Sequence, residues 1–240
     1  MSEGEGYAGI AAYYAEKIRK GEIPAGTKLP SLREVCDTHS VSMKTAVRAF
    51  QQLKAWGLTI PRPGVGTIAA APVSDNIEGR VKTHAATGRA LAAGETSRIL
   101  EIGTVAADEV VAARLDIEPG TPVAVRRRVV SRDGVPVHYS SSYYPAYVIA
   151  AAPELTEPVS TGGSRELAAE RLGSRQKGVL EEVNCRHATE VEKEALGLTG
   201  SVMVMQVVRT VHLKDGRIVE VGVKIVSGST VLKWFTDLDD

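Results

Sequence analysis

Eight residues between positions 33 and 66 have types and spacing suited to reading a nucleic acid. Ser42, Lys44, Thr45 and Arg48 fall within two turns at the start of one helical pattern. Short polar and long basic side chains at that place are what a helix must present to base edges in a major groove. Arg33 lies early in the preceding helical pattern, where it would meet phosphate. Arg62, Gly64 and Gly66 form a tight, glycine-bearing tip suited to an adjacent minor groove or its backbone. A second chemical signal is the run Arg126-Arg127-Arg128. Alternate residues of a strand share a face, and three successive arginines cannot all be buried cheaply. At least one face must be wet or carry anions.

The first set needs two helices and a wing to hold it. Pro30-Ser31 starts the first helix, with Ser31 as N-cap and Glu34 closing a capping box. Ser42 repeats the start signal for a helix over Met43 to about Trp56, with Gly57 at its C′ position. Leu58-Thr59-Ile60 and Thr67-Ile68-Ala69 read as two short strands around the glycine tip. Upstream, apolar residues at Tyr7, Ile10, Ala11, Tyr14, Ala15 and Ile18 predict a further helix, stopped by Gly21. The segment GEIPAGTKLP reads as turns.

The second set lies in a repeat. AARLDIEPGTPVAVRRRVVSRDGVPVHYSSSYY and EALGLTGSVMVMQVVRTVHLKDGRIVEVGVKIV each run from a helix end through a glycine turn into a hairpin. The hairpin tips are Asp133-Gly134 and Asp215-Gly216, an offset of 82 residues. Two such units pairing around a pseudo-twofold would make one antiparallel sheet. A two-residue turn at Asp133-Gly134 places Arg126 and Arg128 on one face with Tyr139, and Arg127 on the other with His138. Pro145–Leu155 connects the hairpins with helical patches, and Arg165–Leu172 is a clearer helix after Gly162-Gly163-Ser164.

The 240-residue chain is 43% hydrophobic and has no net charge. Nine basic and six acidic residues over positions 1–72 make that part +3 and leave the rest at −3. A mildly basic head on a mildly acidic body suits a DNA-binding module carrying a separate domain. The divisions expected are a DNA-binding domain at 1–71, a linker at 72–96 with a short helix near His84–Ala93, and a body at 97–240. Cys36 and Cys185 have no metal or redox spacing and read as reduced, buried residues of a cytoplasmic protein. No apolar run approaches the ~18 residues of a membrane span, so no membrane partner is expected. The histidines form no HxxxH spacing, and GxSxG, GxxxxGK[ST] and a strand-bound GxGxxG do not occur. No metal, cofactor or catalytic residue is expected, and the chain does not read as an enzyme.

LPSLREV, VSMKTAVRAFQQL and GVGTI resemble the winged-helix domain of the GntR family of bacterial transcription regulators. The family often has Arg where this chain has Met43 and a basic residue where it has Val47. RRRVVSRDGVPV, SSYYP, EEVNCR, EALGL and VVRTVHLKDGRIVEV, over roughly Ser97 to Phe235, resemble the UTRA effector domain of its HutC-like branch. The resemblance implies an α+β architecture: a winged helix-turn-helix joined to a chorismate-lyase-like antiparallel domain. It also implies a homodimer that binds double-stranded palindromic operator DNA and responds to a small-molecule effector, most often as a repressor. By the same resemblance Arg126, Arg128, Tyr144, Ser164, Arg209 and Glu220 line the effector pocket, with His138 where the family often carries Glu. A helix opening at Ser164 also suits an anionic group physically. Ser227-Gly228-Ser229-Thr230 replaces an Asp-Arg pair common in the family, so effector identity does not carry over. Two other readings of the body stand beside this one: a lyase-like enzyme tethered to DNA, and a constitutive binder with a vestigial pocket.

Overall fold

Three helices close on one apolar core at the start of the computed structural model, which describes residues 6–62, 64–70, 74–76, 91, 94–132, 134–159, 161, 163–227 and 230–233. They are α1 (Tyr7–Arg19), α2 (Leu32–His39) and α3 (Met43–Ala55). Ile10, Ala11 and Ala15 of α1, Val35 of α2, and Ala46, Ala49 and Leu53 of α3 are fully buried together. Each fully buried branched side chain among them contributes about 1.5–3 kcal/mol. Ser31 caps α2 through the complete capping box with Glu34, and Ser42 caps α3 by accepting from Thr45 N–H. Gly57 ends α3 in the left-handed region, and Leu58 N–H donates to Leu53 O, so the last carbonyls are satisfied.

The wing is a hairpin of β1 (Thr59–Arg62) and β2 (Gly66–Ala69). It has a third member that the turn-rich segment before α2 does not suggest. Leu29 N–H donates to Thr67 O, Ala69 N–H to Thr27 O, and Gly26 N–H to Ala69 O. Residues 26–29 thus form an edge beside β2, and a Cβ on Gly66 would come within 3.3 Å of Lys28 Cε.

Among its described residues, the sequence-predicted linker contains a short strand, β3 (Ser74–Asn76), paired with β10 (Val231–Lys233). The helix expected near His84–Ala93 falls outside the described residues except at Leu91, a bend. A longer strand, β4 (Glu95–Ala106), begins inside the expected linker.

Beyond it, α4 (Glu109–Leu115) precedes a hairpin of β5 (Pro122–Arg132) and β6 (Val135–Tyr144). Then come α5 (Ala146–Ala151), a 3-10 turn (Pro153–Thr156), α6 (Ser164–Arg171), β7 (Gln176–His187), α7 (Glu190–Leu196), β8 (Met203–Leu213) and β9 (Ile218–Ser227). Six strands form one sheet in the order β4-β5-β6-β9-β8-β7. Both hairpins of the repeat are present, and β6 pairs with β9 at the centre. The repeat is longer than the sequence shows. Glu95 to Gln176, Glu109 to Glu190 and Pro122 to Met203 are each 81 residues apart, so each unit is strand, helix, hairpin.

Contacts divide the chain into two compact units. One takes in the residues up to Ser74 with His187–Val204 and Ser227–Val231. The other takes in Asp75–Arg186, Met205–Val226 and the residues from Leu232. In the second unit α4 packs on Val123, Val208 and Val221. Val148 of α5 and Ala168 and Ala169 of α6 pack with Tyr144, Val211 and Val219.

The face assignment around the three arginines needs correcting. Near the hairpin tip the register follows the two-residue turn, with Arg132 opposite Val135 and Ser131 opposite Pro136. It then slips: Val130 faces His138, Arg128 faces Ser140, and Arg126 faces Ser142. Val137 is the extra residue of a β-bulge. One added residue moves every later side chain to the opposite face. His138 therefore shares a face with Arg126 and Arg128, and Tyr139 shares the other with Arg127. Neither cysteine is buried as expected: Cys36 is half-buried and Cys185 is exposed on the edge strand β7.

Candidate functional site

The first candidate site is the winged helix. Lys44 and Arg48 are exposed on α3, Arg33 is exposed on α2, and Arg62 is exposed at the end of β1, opposite Gly66 in the register. Gly64 and Gly66 have φ of +75° and +112°, which the wing tip requires of them. Ser42 and Thr45 are bound to each other, their hydroxyl oxygens 3.0 Å apart. Their first task is to start the helix, so Lys44 and Arg48 are the long polar side chains of that turn. Met43 beside them is half-exposed.

Arg48 has a support that the sequence reading missed. Its guanidinium lies 4.2 Å from the ring centroid of Tyr7 on α1. A cation over a ring face at an exposed site is worth about 0.5–1 kcal/mol. Tyr7→Leu keeps an apolar body but removes the ring face. We expect it to weaken specific DNA binding by roughly two- to five-fold, the same energy expressed as an affinity. In an Arg48→Ala background the same change should have no effect, and fluorescence anisotropy on both backgrounds checks it.

The second candidate site is a cavity of about 770 Å³ against the face of the sheet that carries Arg126, Arg128, His138 and Ser140. Its wall also includes Ser164 and Arg165 at the start of α6, and Arg209, Glu220 and Lys224 from β8 and β9. Six of the seven expected effector residues line it; Tyr144 does not. Tyr144 is buried, and its hydroxyl donates to Glu220 Oε2 at 2.7 Å. Burial first, and the Glu220 carboxylate second, hold its phenol far above the usual range. It stays protonated and orients Glu220.

The three arginines of β5 meet three different fates. Arg127, on the opposite face, pairs with Glu101 of β4. Arg126 is 9% exposed. It donates through Nη1 to Leu155 O at 2.5 Å and Glu157 O at 2.7 Å, and through Nη2 to Val159 O at 2.9 Å. Its guanidinium is therefore committed to the segment before α6. Burial lowers its pKa, opposed by Tyr144 and Glu220. Among the described residues, Arg128 donates from Nε to Ser140 Oγ at 3.2 Å. Arg209 is held by Glu181 of β7, with Nε 2.7 Å and Nη2 2.5 Å from Oε1. Ser164 Oγ lies 2.7 Å from Thr161 Oγ1.

Arg165 is the residue that the sequence reading did not single out. It is 8% exposed, and its Nη1 is buried with no hydrogen-bond partner. Nothing in the local sequence distinguishes it from a solvated arginine on the outer side of a helix. Only the packing of α6 reveals it.

A capped helix-turn-helix with a wing, followed by a sheet module that encloses a polar cavity, defines a DNA-binding transcription regulator with its own ligand-binding module. Comparison with known proteins carries this further. The UTRA domain model matches residues 93–231, and that of bacterial regulatory proteins of the gntR family matches residues 6–68. The HTH-type transcriptional regulator Rv0792c of Mycobacterium tuberculosis is 30% identical over 215 residues, covering 88% of this chain and 78% of that protein. An HTH-type transcriptional regulator of Streptomyces coelicolor is 27% identical over 247 residues, covering 95% and 90%. The crystal structure of PhnF from Mycobacterium smegmatis shares the fold, with a TM-score of 0.56 at 19% identity over 96% of this chain and all of that one. The chain belongs to the GntR family of helix-turn-helix transcription regulators, in the branch that carries a UTRA effector-binding domain.

Proposed function

We propose that this regulator is a homodimeric repressor that leaves a palindromic operator when an anionic small molecule occupies the 770 Å³ cavity. The observation that carries the reading is the charge of that cavity. Arg128, Arg165, Arg209 and Lys224 face it with Glu181 and Glu220 as the opposing carboxylates, and the start of α6 adds its backbone N–H groups. Arg128, Arg165 and the α6 start offer positions for anionic groups; Glu220, held by Tyr144, takes a donor group of the same ligand. Arg33, Ser42, Lys44, Thr45, Arg48 and the wing residues Arg62, Gly64 and Gly66 face DNA. The domains act as a DNA-binding head up to about residue 71 and a sensing body from about 97, in the cytoplasm. Two heads of a dimer must meet half-sites spaced by about 34 Å along the duplex. A ligand that favours a dimer geometry off that spacing weakens operator binding.

The test begins with an operator selected from a random double-stranded library. Anionic metabolites that raise the unfolding midpoint are then titrated into the complex. A true effector should weaken operator affinity at least ten-fold, about 1.4 kcal/mol of coupling. Operator should weaken effector binding by the same factor. A ligand that saturates the cavity and leaves operator affinity unchanged would sink the proposal.

A further inference from the structure

Among the described residues lining the cavity, one guanidinium has a buried nitrogen with no hydrogen-bond partner. Arg165 sits in the first turn of α6, more than nine-tenths buried, on the cavity wall, with Nη1 unpartnered. A buried guanidinium normally has every nitrogen engaged. Two carboxylates attract it through space, Glu220 more strongly than Glu166. Burial nevertheless outweighs that attraction and lowers the pKa of Arg165, with Arg209 adding repulsion. The folded protein therefore bears a cost for keeping this charge where it is.

Glu220 shows the complementary gap. Tyr144 binds its Oε2. Its Oε1 lies beside Gly222, where even a Cβ would come within 3.2 Å. With no side chain at 222, nothing from that position lies over the oxygen, and both Glu220 and Gly222 line the cavity. A guanidinium with a buried unpartnered nitrogen and a carboxylate held through one oxygen thus line one cavity.

Resting on the reading of this cavity as the effector site, we propose that Arg165 and Glu220 together receive a carboxylate that carries a hydrogen-bond donor on its α carbon. The carboxylate takes the fork of Arg165. The adjacent hydroxyl or ammonium donates to Glu220 Oε1. The effector class is an α-hydroxy or α-amino acid, and Arg165 is the residue that selects it. Simple anions at Arg128 do not need this pair.

The full-length protein is tested by titration calorimetry with sodium D-gluconate, L-malate and L-glutamate, with D-sorbitol as the uncharged control and inorganic phosphate as the simple anion. At least one carboxylate should bind the wild type and D-sorbitol should not. Arg165→Met should weaken that carboxylate at least ten-fold, Arg165→Lys should lose less, and phosphate should bind both proteins equally. Because burial of the charge is a net cost, Arg165→Met should leave the ligand-free unfolding midpoint no lower than the wild type's. Three results overturn the assignment: equal carboxylate binding by wild type and Arg165→Met, a midpoint lowered by several degrees in that variant, or phosphate binding with no carboxylate binding. The last of these leaves the effector cavity standing. If neither carboxylate nor phosphate binds the wild type, the cavity reading falls as well.

Discussion

Arg126→Met is expected to lower the unfolding midpoint by about 6–12 °C, while Arg128→Met, two residues along the same strand, leaves it within about 3 °C. The two side chains point to the same face and would look equivalent in any alignment of strand positions. Their partners differ. Arg126 holds the carbonyls of Leu155, Glu157 and Val159. Replacing it strands three acceptors and costs about 3 kcal/mol after the relief of its own burial. Among the described residues, Arg128 holds Ser140 Oγ at 3.2 Å, and losing one such bond costs about 1 kcal/mol or less. The functional outcomes should run the other way. Arg128→Met should lose phosphate binding by calorimetry, because its guanidinium faces the cavity with capacity to spare. Scanning calorimetry and titration of both variants decide the matter. If Arg128→Met melts early and Arg126→Met loses the anion, the roles assigned to the pair are exchanged.

That contrast marks where sequence reasoning stops. The winged helix was legible because its signals are local. Ser31, Glu34, Ser42 and Gly57 act within one turn of the chain, and each does what its position implies. The central hairpins were legible for the same reason, through their Asp-Gly tips and apolar strands. The strands β4 and β7 were not. They form the two edges of the sheet, and no apolar side chain of either is buried, so neither shows the clean alternation that marks a strand. The third edge of the wing is equally hidden, since residues 26–29 contribute backbone, not side chains.

The cavity shows a subtler failure. The family resemblance names nearly all of its residues, yet a two-residue turn alone puts His138 and Tyr139 on the wrong faces. A single bulged residue, Val137, lies between the turn and the arginines. Pro136 was the available signal: proline inside a strand sits where no ladder donor is needed, at an edge or a bulge. Here it lies beyond the last pair with β9, which begins at His138 opposite Val226. Arg165 was invisible for a different reason. Whether an arginine at a helix start faces solvent or a cavity depends on what packs on the other side.

Arg48→Ala is expected to cost about 1–3 kcal/mol on the selected operator, a loss of roughly 5- to 150-fold, and much less on random DNA. The reasoning rests on how little else this head offers. Its excess of positive charge is three over residues 1–72, so counterion release alone gives weak and unselective binding. Ser42 and Thr45 are engaged with each other at the helix start, and Met43 presents no hydrogen-bond donor. On the proposed reading, discrimination between bases by this helix rests chiefly on Lys44 and Arg48. Arg48 is the one with a planar fork, and Tyr7 holds that fork 4.2 Å from its ring. Arg33→Ala should behave differently, weakening operator and random DNA alike and reducing the salt dependence by about one counterion. Anisotropy titrations at several salt concentrations separate the two. Equal losses on both DNAs for Arg48→Ala would make it a phosphate contact and shift base reading to Lys44. A salt slope unchanged by Arg33→Ala would take Arg33 off the backbone.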